Sequence, residues 1–400
     1  MNCDYPTIAV RRSGINPATG TGYKPHLFIK YEHVFAKFKN SRKYSNPRHE
    51  ADAYFTALYF DLKRKFDRPG ILCDSVCQDD FFNDPSHPWY NALKRSVVRR
   101  ERVDRLCEVL LVGCNRCVLC RQRNKKMWAT RCIHEAQMCN GGVFLTLTVS
   151  DDSLERTFPG GSLTYKPFQD FMKRLRKGTE KYKMVMLSDH PIRFFMCGEY
   201  GEQFWRPHYH VCLFGCDFPD KFVQRYTEDG QPLYDSPFLI ELRHVNGVEV
   251  FGEVSNFAPI TPYDVSYTAG YVEKKIFKDQ SEYVKRGLEP EFVRMSRRPG
   301  IGLSWLNQYH SDCWKFHNEQ LIHEGCFVDK WKNPVPRYYF EKSKIGGLLS
   351  HQECDIIFTH HRGRVSEVSS DPDMFMDSLE EGHAKAEKVR KRLSQVLRSF

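Results

Sequence analysis

No stretch of this 400-residue chain approaches the roughly 18 uninterrupted apolar residues that a membrane-spanning helix needs, and the opening MNCDYPTIAVRR carries no apolar run behind its charges. Both absences lead us to expect a cytosolic protein with no membrane partner. No GxxxxGK[ST] string occurs, which excludes the commonest phosphate-cradling loop for nucleotide hydrolysis. No internal repeat occurs either, which argues against a solenoid. Negative charge is in deficit: 50 Asp and Glu face 60 Lys and Arg, for a formal net charge of +10. That balance favours a polyanionic partner such as nucleic acid. Cysteine is abundant, at 15 residues. An odd, high count in a reducing compartment reads as thiols or metal ligands rather than disulfides.

The length allows a sizeable core and two or three structural units around one main domain. Residues 1 to about 90 show no sustained period, apart from a helix-like piece around Ala51 to Phe66, and read as a loosely organised lead-in. Lys94 to Arg105 carries six basic residues and suits a solvated helix face or a DNA contact. A helix-like stretch follows from Arg121 to Met138. Its Arg121, Arg123, Lys125, Lys126 and Trp128 mix cations with an aromatic, as single-strand-binding surfaces and ordinary basic helices both do. Val143 to Val149 (VFLTLTV) is short, apolar or β-branched throughout, and predicts a strand. Lys166 to Lys177 places Phe168, Phe171, Met172 and Leu175 at i, i+3, i+4 and i+7, which predicts an amphipathic helix with a basic outer face. Ile192 to Tyr200 and His208 to Phe214 read as neighbouring strands joined by the turn GEQFWRP, and a helix containing Tyr267 and Tyr271 follows. The basic tail places Val389, Leu393, Val396, Leu397 and Phe400 on one helical face, which suits a docking helix or a partner contact. We expect residues 1–106 to form the lead-in with its basic helix, 107–285 the core with the cysteine cluster, and 286–400 a C-terminal region ending in a basic amphipathic helix.

Chemistry concentrates in three places. In Arg206-Pro207-His208-Tyr209-His210, strand alternation sends His208 and His210 to one side and Tyr209, Val211 and Leu213 to the other. Two imidazoles so placed are a ready metal pair, although hydrogen bonds alone also satisfy such pairs. The preceding strand ends in Gly198-Glu199-Tyr200-Gly201-Glu202, so a hairpin would return a carboxylate beside the histidines. Glu199 is the expected third ligand and Glu202 the alternative. Two imidazoles and a carboxylate leave open coordination positions, which next to a phosphate suit Mg²⁺ or Mn²⁺. In Ser266-Tyr267-Thr268-Ala269-Gly270-Tyr271-Val272-Glu273-Lys274-Lys275, helical spacing puts Tyr267, Tyr271 and Lys274 or Lys275 on one face. Tyrosines four apart are often core packing. A lysine one turn on, however, can favour phenolate and neutralise a phosphate. A tyrosine with an ordinary pKa of about 10 needs such help to attack a phosphodiester. Finally, Cys114, Cys117 and Cys120 form CxxCxxC without a second CxxC knuckle, and Cys107, Cys132 or His134 could complete a structural Zn²⁺ site.

VFLTLT, RPHYH and YTAGYVEKK, in that order, resemble the three motifs of HUH-family endonucleases, specifically the replication initiators of the gokushovirus-type microviruses, small single-stranded DNA phages. The similarity extends to GCNRCVLCR, FQDFMKRLRK, CGEYGE and RMSRRPGIG, and so covers about residues 107 to 305. It implies an α+β fold, a central palm-like antiparallel sheet flanked by helices. Tyr267 and Tyr271 would be nucleophiles, Lys274 the motif lysine, and His208 and His210 metal ligands. The implied enzyme nicks the plus strand of the double-stranded replicative form at the phage origin, forms a 5′-phosphotyrosine, leaves a 3′ hydroxyl for the host DNA polymerase, and rejoins the displaced single strand in the host cytoplasm. With no nucleotide loop of its own, it would rely on a host helicase. Two departures stand out: Val149 replaces an aromatic after TLT, and Phe204-Trp205 stands where a glycine usually precedes Arg-Pro. The competing readings are a related transposase or relaxase, and a zinc-stabilised DNA-binding regulator that does not cut.

Overall fold

Val143 to Val149 is the seed of the architecture, because its leucines and its threonines and phenylalanine belong to opposite faces. In the computed structural model Gly142–Thr148 is a strand. Leu145 and Leu147 enter one hydrophobic core while Phe144 borders another. The structure describes residues 3, 6–12, 15–16, 21–22, 27–40, 45–66, 107–114, 117–181, 191–201, 204–253, 255–261, 264–265, 267–270, 280–318, 320–328, 331–357, 360 and 371–398. The basic segment Lys94 to Arg105, Glu202, Tyr271 and Lys274 therefore lie outside the described residues.

Seven strands form one sheet in the spatial order Phe292–Met295, Arg193–Tyr200, Pro207–Phe214, Gly142–Thr148, Asn256–Pro259, Pro232–Asp235 and Phe222–Tyr226. Every neighbouring pair is antiparallel. The expected α+β class with a central antiparallel sheet is borne out. Phe168, Phe171, Met172 and Leu175 of the helix Lys166–Lys181 are buried against Leu145, Leu147, Tyr209, Val211 and Leu213 on one face. Each such side chain contributes about 2 kcal/mol through the area it removes from water. On the opposite face Phe195, Cys212 and Phe214 pack with Ala129, Cys132, Val265 and Ala269. Strand alternation thus supplies a separate core for each face, and a helix covers each.

The chain divides into two compact units, one of residues 1–121 and 361–400 and one of residues 122–360. The first is discontinuous. Its three-stranded sheet runs Leu27–Lys30, Thr7–Arg12, Cys107–Val112. The helices Tyr31–Lys39, Pro47–Phe66 and Pro372–Arg398 supply the rest of its core. Part of the stretch that composition reads as a loose lead-in is therefore built structure, because Val34, Phe55, Leu58, Tyr59 and Leu62 are buried. The C-terminal helix docks through Phe375, Leu379, His383 and Ala386, an earlier stripe than the one read from the tail. Phe375 stacks on Tyr59 with ring centroids 4.7 Å apart, and His383 Nε2 lies 3.0 Å from the buried Asp52 carboxylate.

The second unit buries His134 completely beneath Trp305, with ring centroids 3.5 Å apart. The Phe327 carbonyl can only accept, so Nε2–H donates to it at 3.4 Å, and Nδ1 accepts from the Tyr339 hydroxyl at 3.0 Å. Burial pushes the pKa of this neutral imidazole down to about 4. The unfolded chain then binds a proton that the folded one refuses, so stability falls as pH drops from the ordinary value of 6.5 toward 4. The loss approaches about 3 kcal/mol. Urea unfolding of the wild type and His134→Gln at pH 7 and pH 4.5 checks this: the wild type is expected to lose more on acidification than the variant. An equal loss would assign the pH dependence to other groups.

Candidate active site

The histidine strand is held in register from both sides. Thr146 and Cys197 lie opposite His210, and Thr148 and Glu199 lie opposite His208. Because alternate residues share a face, Glu199, His208, His210, Thr146 and Thr148 all emerge on the side away from Tyr209 and Val211. Glu199 Oε1 lies 2.9 Å from His210 Nε2. The other ring nitrogen, Nδ1, lies 3.2 Å from Thr146 Oγ1. With the Nε2 proton on the carboxylate, Nδ1 accepts from the threonine hydroxyl, and the imidazole is fixed in one orientation. The second oxygen of Glu199, Oε2, is inaccessible to solvent and has no hydrogen-bond partner. An anionic oxygen buried in that state is costly without a cation nearby.

His208 is oriented differently. Its Nδ1–H donates to the Arg206 carbonyl at 2.7 Å, which puts the lone pair on Nε2. A backbone acceptor on the far nitrogen is the usual support for a metal-binding imidazole. Gly201 makes room for this ring: a Cβ there would stand 3.1 Å from His208 Cε1. Arg206 ties the turn down through the Val149 carbonyl at 3.1 Å and an ion pair with Asp151. The preceding residue, Trp205, has φ 53°, the left-handed region. This is the place where a glycine is usual in the motif, and a bulky residue there costs on the order of 1 kcal/mol. Trp205 offsets it by packing on Tyr200 and Tyr283, with the Arg286 guanidinium 4.3 Å over its ring.

Tyr267 stands edge-on to His210, with ring centroids 5.7 Å apart and planes at 83°. Phe144 lies beside both rings. The structure thus brings together Glu199, His208, His210 and Tyr267. Among the described residues, however, His208, His210 and Glu199 do not converge to the degree that all their ligand atoms lie within 4.8 Å of one another; that is reached by the cysteine group alone. Sequence reading passed over the place of Lys125 here. A Cβ at Gly270 would stand 2.7 Å from the Lys125 Nζ, so this ammonium lies against the backbone between the two tyrosine positions. Its only signal was membership of the basic helix.

The cysteine expectation needs a correction. Cys114, Cys117 and Cys120 do gather, but the fourth thiol is Cys3. Cys132 is buried in the core with Phe195 and Cys212, His134 is held by Tyr339, and Cys107 pairs opposite Arg12 in a strand.

Comparison with known proteins bears on the same stretch of chain. Residues 142–276, from the threonine strand through the tyrosine segment, match the family model of the ORF2-type replication-associated proteins. The replication-associated protein VP4 of Bdellovibrio phage phiMH2K is 29% identical over 298 residues, covering 73% of this chain and 86% of that protein. The replication-associated protein ORF2 of Spiroplasma virus 4 is 29% identical over 230 residues, 57% of this chain and 66% of that protein. ORF4 of Chlamydia phage 1, also a replication-associated protein, is 26% identical over 166 residues, 40% of this chain and 38% of that protein. No solved structure matches the chain. The motifs, the sheet that carries them and these relatives together bear out the resemblance, and the chain belongs to the microvirus-type replication-associated proteins of phages.

Proposed function

We propose that the protein starts rolling-circle replication by nicking the phage origin with a tyrosine. The observation that carries this reading is the buried, unpartnered Oε2 of Glu199 beside His210, with the Tyr267 ring against that imidazole. Glu199, His210 and His208 through its Nε2 would hold a divalent cation, Mg²⁺ or Mn²⁺. When bound, such an ion draws charge from the scissile phosphate. His210 would yield its Nε2 proton to make way for it, and Thr146 and the Arg206 carbonyl keep the two rings aimed.

The phenol oxygen of Tyr267 or Tyr271 attacks phosphorus and the bond to the 3′ oxygen breaks. The phenol proton ends on that oxygen, giving a 3′ hydroxyl and a 5′-phosphotyrosine. The energy of the broken diester is kept in the phosphotyrosine, so reversal by a 3′ hydroxyl rejoins the strand without a nucleotide cofactor. Lys274 and Lys125 are the cations that would favour phenolate. The 3′ hydroxyl would serve the host polymerase, with a host helicase opening the replicative form. Phe204, 84% exposed in the turn that leads to His208, offers a stacking face for an unpaired base.

Incubation with labelled single-stranded DNA carrying the phage origin is expected to yield a protein–DNA adduct on a denaturing gel with Mn²⁺ and none with EDTA. Tight binding without scission under any metal would favour the regulator.

A further inference from the structure

The geometry assigns a structural zinc site to Cys3, Cys114, Cys117 and Cys120, in which the N-terminal Cys3 is the fourth ligand. The site lies wholly within the first unit and stands apart from the nicking reaction, so its test does not depend on that reading.

The fold explains how a cysteine more than a hundred residues upstream joins a local knuckle. Thr7 pairs antiparallel with Val112. Residues just before Thr7 and just after Val112 therefore leave the sheet side by side, which brings Cys3 to Cys114. The chain then turns into the helix Val118–Met138, placing Cys117 immediately before its start and Cys120 in its first turn. A helix N-terminus favours thiolate over thiol.

The sulfur separations identify the occupant. Four thiolates at about 2.3 Å from a tetrahedral Zn²⁺ stand about 3.8 Å from one another. Here Cys3 lies 3.7 Å from Cys117 and 3.5 Å from Cys120, and Cys114 lies 4.0 Å from Cys120. All four sulfurs are within 4.8 Å of one another. A disulfide requires about 2 Å and pairs thiols two by two, which this four-fold cluster does not do. Backbone amides support the sulfurs: Cys114 N–H donates to Cys3 Sγ at 3.3 Å and Cys117 N–H to Cys114 Sγ at 3.2 Å. Cys3, Cys117 and Cys120 are buried, and no histidine or carboxylate belongs to the group. A closed, all-sulfur, solvent-shielded set suits a structural site and leaves no open position for catalysis.

The full-length protein, purified under reducing conditions, is expected to carry about one zinc ion per chain by plasma mass spectrometry. Cys3→Ser should lose most of that zinc to a competing chelator that leaves the wild type loaded. Cys139→Ser, a buried thiol outside the group, should keep it. Because Cys3→Ser can also weaken the unit, Cys3→His is the second variant. Exchanged with Co²⁺, it should retain a tetrahedral visible spectrum while its thiolate charge-transfer band falls by about a quarter, one ligand in four. A zinc-free wild type, a disulfide at Cys3 by mass spectrometry, or an undiminished thiolate band in Cys3→His would each overturn the assignment.

Discussion

Changing Tyr267 and Tyr271 together to phenylalanine is expected to lower metal-dependent scission of origin DNA by at least about a thousandfold, the usual consequence of removing a covalent nucleophile. The effect belongs to chemistry alone. Phenylalanine keeps the Tyr267 ring that packs against His210 and Phe144, so the melting temperature should stay close to that of the wild type and DNA affinity should change little. Single-turnover cleavage of a labelled oligonucleotide, followed for each single variant and the double, separates the two hydroxyls. A single substitution that removes the adduct identifies the first nucleophile, and Tyr267 is the one the structure sets against the imidazole. A double variant that still forms the adduct at the wild-type rate would mean that neither phenol attacks.

Glu199→Gln is the second large effect. Its amide oxygen can still accept from His210 Nε2, so the hairpin should fold, but the buried anion is gone. Mn²⁺ affinity is expected to fall by roughly a hundredfold or more, since the site loses a charged ligand and not merely a supporting contact. Cleavage at limiting Mn²⁺ should fall in parallel and recover in part at high concentration. Mn²⁺ binding followed by electron paramagnetic resonance reads this directly. Unchanged affinity would exclude Glu199 and return attention to Glu202, which the same hairpin carries.

The parts of the fold visible in the sequence are those where local pattern and tertiary role coincide. Phe168, Phe171, Met172 and Leu175 keep a helical period because one side of their helix meets the sheet. The alternation at His208 to Leu213 survives because both neighbouring strands fix its register. The four short strands Phe222–Tyr226, Pro232–Asp235, Asn256–Pro259 and Phe292–Met295 went unread. Residues such as Arg225, Asp235 and Asn256 interrupt any alternation, and burial is uneven along them. Asp235 is buried only because Arg243 Nη2 meets it at 3.0 Å. In the site, the histidines and Glu199 were legible because a hairpin makes them neighbours in sequence as well as in space. Cys3 and Lys125 were not. One reaches its partners through a strand pairing that spans most of the first unit, and the other reaches Gly270 through the packing of a helix on the sheet.

The interrupted first unit also dictates an order of events at the ribosome. Residues 122–360 are contiguous, so the seven-stranded sheet can close as soon as its own chain has emerged. The other unit must wait for Phe375, Leu379 and His383, delivered by the last forty or so residues of the chain. Until they arrive, Asp52 lacks its imidazole, and Phe55 and Tyr59 lack part of their cover. Synthesis therefore completes the sheet that bears the histidines first and seals the flanking unit only at the final helix.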